Sequence, residues 1–76
     1  MRIIFDPDGD VAYFYLKEGI PNVNTIWITE DLSIDLGPNE ELVGLEVLSA
    51  ARHLGLSREV KQVGIELMPK ERSSAQ

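Results

Sequence analysis

Cysteine is absent from this chain, which excludes disulfides and thiolate metal sites together. Histidine occurs once, at His53, so no Cys/His cluster replaces them. Basic residues are scarce: seven against thirteen acidic ones, a formal net charge of −6. That balance repels phosphate backbones and argues against a nucleic acid partner for the chain by itself, since the basic residues are scattered, most densely between Arg52 and Lys61. It welcomes a basic protein partner, although surface acidity is also a common route to solubility. Long apolar runs are missing too. The opening MRIIFD contains no signal segment and no stretch reaches membrane-spanning length, so the expected compartment is the cytoplasm and no membrane is expected as a partner.

What is present is an ordinary globular composition in 76 residues, 43% hydrophobic and 26% charged. This is room for one domain, expected over residues 1–68, with a frayed polar tail over residues 69–76. A core of that size rarely supplies more than roughly 3–5 kcal/mol, and small proteins often add disulfides, metals or self-association. Only the last remains open.

Along the chain, residues 2–5 form an apolar run that stops at Asp6-Pro7-Asp8-Gly9-Asp10. Proline presets a type I turn and Gly9 is the residue free to take a positive φ. Residues 11–16 follow, and the two runs predict a β-hairpin. The second strand is apolar on both faces: Val11, Tyr13 and Tyr15 point one way, Ala12, Phe14 and Leu16 the other. Such a strand is central or covered on its second side, unless the tyrosines stand half-exposed with hydrated hydroxyls. Residues 17–22 read as a loop, 23–29 as a third strand, 32–36 as a fourth and 42–48 as a fifth. A four-residue loop over 38–41 sets Leu36 opposite Val43, Ile34 opposite Leu45, Asp35 opposite Gly44 and Ser33 opposite Glu46. Residues 49–55 predict a short helix with Ser49 as cap and Gly55 as stop. Val63, Ile65 and Leu67 alternate, so a last strand is expected over 60–68 in preference to a helix beginning at 57. The predicted fold is α+β but mainly β, an antiparallel meander of five or six strands with one short helix after the fifth.

The segments FDPDGDVAYFYL, SIDL and LVGLEVLSAAR, in that order, resemble the domain of unknown function 2283 family of small prokaryotic proteins. The matching positions are Asp6, Pro7, Asp10, Tyr13, Asp35, Gly44, Glu46 and Ala50, and the resemblance runs from Met1 to about Arg52. The turn at Pro38-Asn39-Glu40 departs from the Asp-Gly usual there. The resemblance implies a compact β-rich fold and no established activity. It also implies a tie to small toxin-like neighbours, hence an antitoxin-like role.

The side chains that carry chemistry are few. Asp6, Asp8 and Asp10 do not make a calcium loop, because Val11 and Lys17 stand where glycine and a bidentate glutamate are needed. Asp35 and Glu46 interrupt apolar strands on one face, as a polar patch able to bind a hard cation or share acid–base work, or simply to sit solvated beside tyrosine hydroxyls; the second description is preferred. No serine has a nucleophile-elbow context. Gly44 within a strand marks a bulge or a close approach. No catalytic residue, metal site or cofactor is therefore expected. The leading expectation is a protein-interaction or regulatory module, a homodimer through Val11, Tyr13, Tyr15 and Trp27, with a small basic protein as a further partner. The rival is a small metal-binding protein or enzyme using Asp35 and Glu46.

Overall fold

The computed structural model describes residues 1–60 and 62–69. It contains β1 (Arg2–Asp6), β2 (Val11–Tyr15), β3 (Asn24–Trp27), β4 (Leu32–Leu36), β5 (Leu42–Leu48) and α1 (Ala50–Leu54). The strands form one antiparallel sheet in the order β1-β2-β5-β4-β3. The mainly β architecture and the helix after the fifth strand are as the sequence predicts. The order departs from a strict meander, because β5 inserts between β2 and β4. β2, β5 and β4 occupy the interior of the sheet, and β5 meets β2 through the apolar pairs Ala12–Val47 and Phe14–Leu45 on one face and Tyr13–Glu46 on the other. β3 is shorter than expected, four residues, and every one of them is exposed at an outer edge. No helix among the described residues is long and apolar enough to cross a membrane.

Pairing fixes two unlike faces. Ile3, Phe5, Ala12, Phe14, Leu45, Val47, Leu32, Ile34 and Ile26 share one, the helix face. Ile4, Tyr13, Glu46, Ser33 and Trp27 run across the other in a single row, with Arg2, Tyr15, Gly44, Asp35 and Thr25 in the next. We call this the aromatic face. The expected pairs Ile34–Leu45, Asp35–Gly44 and Ser33–Glu46 are all present. Leu36 pairs with Leu42 instead of Val43, because the register shifts between Asp35 and Leu36. The shift sits beside Gly44, where an added Cβ would lie 3.0 Å from the Phe14 carbonyl oxygen. The glycine thus serves a close approach of β2 to β5.

The first turn places its left-handed residue at Asp10 (φ 56°), not at the expected Gly9. The Asp6 carboxylate accepts the backbone N–H of Asp8 (3.0 Å) and Gly9 (3.2 Å), closing the turn early and leaving Asp10 to reverse the chain. Aspartate tolerates that conformation, and its carbonyl and carboxylate then reach α1. The carbonyl accepts Ala50 N–H at 3.0 Å and the carboxylate accepts Ala51 N–H at 2.8 Å. Ser49 is therefore not the cap the sequence predicts; it is left-handed itself (φ 52°) and its side chain makes no capping bond. Asp10, 41 residues away, satisfies the orphan donors of the helix. Gly55 (φ 69°) ends the helix as expected.

Fully buried hydrophobic residues among those described are Ala12, Val47 and Ala50, with Phe5, Phe14, Leu32 and Leu56 packed around them. The five strand residues in that set, Phe5, Ala12, Phe14, Leu32 and Val47, all lie on the helix face, so the core is the contact between α1 and this face. Beyond Leu56 the chain turns at Ser57, whose carbonyl accepts Val60 N–H at 3.1 Å, and Arg58 pairs with Asp8. The strand expected over 60–68 does not form: Val60 and residues 62–69 carry no strand. The segment lies over the helix face, where Val63 and Ile65 stand opposite Ile3, Phe14 and Leu16. Ladder bonds are made in the plane of a sheet, so a segment above its face has no backbone partner there. Of the expected tail, Lys70 to Gln76 lie outside the described residues, as does Lys61 within the expected strand.

Candidate functional site

The aromatic face carries all six residues singled out from sequence. Val11, Tyr13 and Tyr15 alternate along β2; Glu46 follows Tyr13 across the β2–β5 pair. Asp35 and Trp27 come from β4 and β3. Because β2 and β3 do not pair, Trp27 does not extend the tyrosine set directly. Glu46 and Ser33 stand between Tyr13 and Trp27 in the same row.

Each carboxylate is held by a neighbouring hydroxyl. Tyr13 donates to Glu46 Oε2 at 2.6 Å and Thr25 donates to Asp35 Oδ1 at 2.6 Å. The short distances are those of charge-assisted bonds. One oxygen of each carboxylate is thereby oriented by its own chain, and the other faces the surface of the sheet. The Glu46 carboxylate, by accepting this bond and by its negative charge, raises the Tyr13 pKa above that of an ordinary tyrosine. Gly44 carries no side chain between these groups, and the Asp35 carboxylate lies over it; a Cβ there would be 3.7 Å from Oδ2. Around this centre the rings of Tyr13 and Tyr15 stack with centroids 6.1 Å apart. The Arg2 guanidinium lies 4.6 Å from the Tyr15 centroid. Trp27, 52% exposed, closes the opposite side.

This arrangement is acidic, aromatic and shallow. Among the described residues no group of three or more His, Cys, Asp or Glu side chains gathers to hold a metal ion.

A second polar cluster was not legible in the sequence. Asp31, in the turn before β4, accepts from Arg52 and from His53 Nε2, both at 2.9 Å to Oδ2. The Arg52 guanidinium also lies 3.1 Å from the same His53 ring nitrogen, so the three side chains form one cluster. The His53 bond foremost, with the charges of His53 and Arg52, holds Asp31 below the usual carboxylate range against a smaller opposing effect of burial. Asp31 also accepts Leu48 N–H through its carbonyl at 2.7 Å. The cluster ties α1 to the β3–β4 turn, and its partners lie 21 and 22 residues apart. The only signal for it was a carboxylate in a turn and two basic residues at a helix end, which fits many pairings.

No curated protein and no solved structure matches the chain. The family profile described as protein of unknown function (DUF2283) matches residues 2–50, a span that holds all five strands, the Asp10 cap and every residue of the aromatic face. On that match the chain belongs to the DUF2283 family of proteins of unknown function.

Proposed function

We propose that the protein is an interaction module, regulatory or antitoxin-like in mode, whose aromatic face receives a basic segment of a partner protein. The observation that carries this reading is the pair of half-buried carboxylates, each fixed by a hydroxyl and flanked by Tyr13, Tyr15 and Trp27. Aromatic faces and oriented carboxylates are the two groups that recognise a guanidinium or ammonium. The chain supplies an example of the chemistry in Arg2, which stacks on Tyr15. The net charge of −6 adds attraction at long range and raises the association rate of a basic partner. A second copy on this face would bring together two acidic surfaces of chains with net charge −6, which favours a basic partner there.

The reading is tested by titrating the full chain with an arginine-rich peptide and with a length-matched acidic peptide. Saturable binding of the first is expected, weakened at least tenfold by Asp35→Asn with Glu46→Gln and weakened by salt. Equal affinity for both peptides, or no loss in the double variant, ends it. The rival use of the same carboxylates has its own readout. A rise in melting temperature with calcium, magnesium or zinc, lost in Asp35→Asn or Glu46→Gln, replaces the basic segment with a metal ion.

A further inference from the structure

The second inference concerns the opposite face and does not rest on the reading above. Residues 62–69 are exposed throughout. Within them, Val63 is 58%, Ile65 75%, Leu67 93% and Met68 63% exposed. None of these residues makes a backbone–backbone hydrogen bond with another described residue. The segment also stands off the sheet beneath it. Two open hollows, of about 350 and 380 Å³, separate it from Ile3 and Phe14. Protein interiors pack tightly enough that apolar gaps of this size are not left between elements that form a core.

We propose that two copies of the chain form a two-fold dimer in which residues 63–68 of each cover the helix face of the other beside Ile3 and Phe14. Three observations select a second copy as the occupant. The chain carries both halves of the contact, protruding side chains at Leu67 and Met68 and apolar hollows at Ile3 and Phe14, which is the condition for an isologous interface. Every strand residue whose side chain shares the helix face is uncharged, from Ile3 in β1 to Ile26 in β3. The sheet therefore opposes no carboxylate to the partner copy, and Glu66 is the single acidic residue that each covering segment brings. The area also suffices. Each large apolar side chain offers roughly 60–120 Å², so four from each copy and the surface they cover total on the order of 1,000–1,900 Å², which overlaps the range of specific interfaces. The dimer supplies the core that Ala12, Val47 and Ala50 do not provide alone.

Sedimentation or light scattering across a concentration series on the full chain decides the matter. Wild type and Trp27→Ala are expected to reach twice the chain mass of 8.5 kDa. Leu67→Asp is expected to raise the dissociation constant at least tenfold with an unchanged circular dichroism spectrum, and Ile65→Ser to do the same more weakly. A single-chain mass at every concentration overturns the proposal. So does a dimer indifferent to Leu67→Asp, a dimer lost in Trp27→Ala, or a mass that grows without limit. Peptide binding in the earlier experiment is unaffected by any of these outcomes.

Discussion

The two faces of this sheet are made from the same five strands and do opposite things with them. On the helix face uncharged side chains meet α1, and the few fully buried hydrophobic residues lie in that contact. On the aromatic face no helix among the described residues lies over the strands, and two carboxylates stand among the aromatic side chains, each with a hydroxyl partner. The difference teaches that a strand with two apolar faces need not have two cores. β2 places Ala12 in the core by one set of side chains, while its other set displays Tyr13, 39% exposed.

That asymmetry is easiest to break through stability. Val47→Ala removes two methyl groups from the centre of the helix face and is expected to cost roughly 2 kcal/mol, a large part of what so small a domain has. Trp27→Ala, though it removes far more atoms, is expected to cost less than half as much, since the ring is half exposed at an edge strand. Urea denaturation of the two variants gives the ranking. A larger loss for Trp27 would mean that the aromatic face is a second core and not a display surface.

A smaller effect sharpens how the helix face is held shut. Asp10→Ala removes the carboxylate that accepts Ala51 N–H and leaves a Cβ in the left-handed region, with an expected cost of about 1–2 kcal/mol. Asp10→Gly loses the same bond but relaxes the backbone, and is expected to cost only a few tenths to 1 kcal/mol. Equal losses in the two variants, measured by thermal or urea unfolding, would show that the carboxylate alone matters. No loss in either would show that α1 stays in place without its remote cap.

The smallest effect is read on the aromatic face by pH. The bond to Glu46 raises the Tyr13 pKa in the folded protein, so the stability it contributes is fully present below the ordinary tyrosine value of about 10. It is lost as pH rises through the folded value. Titration of phenolate absorbance is expected to show one tyrosine ionising late, and Glu46→Gln to bring its midpoint back toward the ordinary value. A midpoint that Glu46→Gln leaves unmoved would mean that the carboxylate does not hold the ring.

Much of this was legible in the chain. The hairpin of β1 and β2 follows from two apolar runs about Pro7 and Gly9, and the β4–β5 register follows from period-two alternation together with a loop of known length. These are local signals, where side-chain direction and chain reversal are set by neighbouring residues. The pairing of Asp35 with Gly44 and Ser33 with Glu46 came from the same argument, and with it the placing of both carboxylates on one face. The partners of those carboxylates were not legible. Tyr13 lies 33 residues from Glu46, and their meeting depends on β5 entering the sheet beside β2. The strand expected over 60–68 failed for a related reason. Alternation says that a segment can show one apolar side, but whether it joins an edge or crosses a face is decided by where the preceding helix leaves the chain.

By itself, then, the sequence determined the five strands and the helix of residues 1–55, their apolar faces, the acidic charge and the exclusion of disulfides and thiolate sites, because each depends on residue type or on neighbours a few positions apart. Tertiary structure decided which strands lie side by side, that Asp10 rather than Ser49 caps α1, that Asp31 gathers Arg52 and His53, and that Trp27 is set apart from the tyrosines by Glu46 and Ser33. Each of those outcomes joins residues distant in the chain, and the competition among possible partners is settled only when the whole sheet closes around its core.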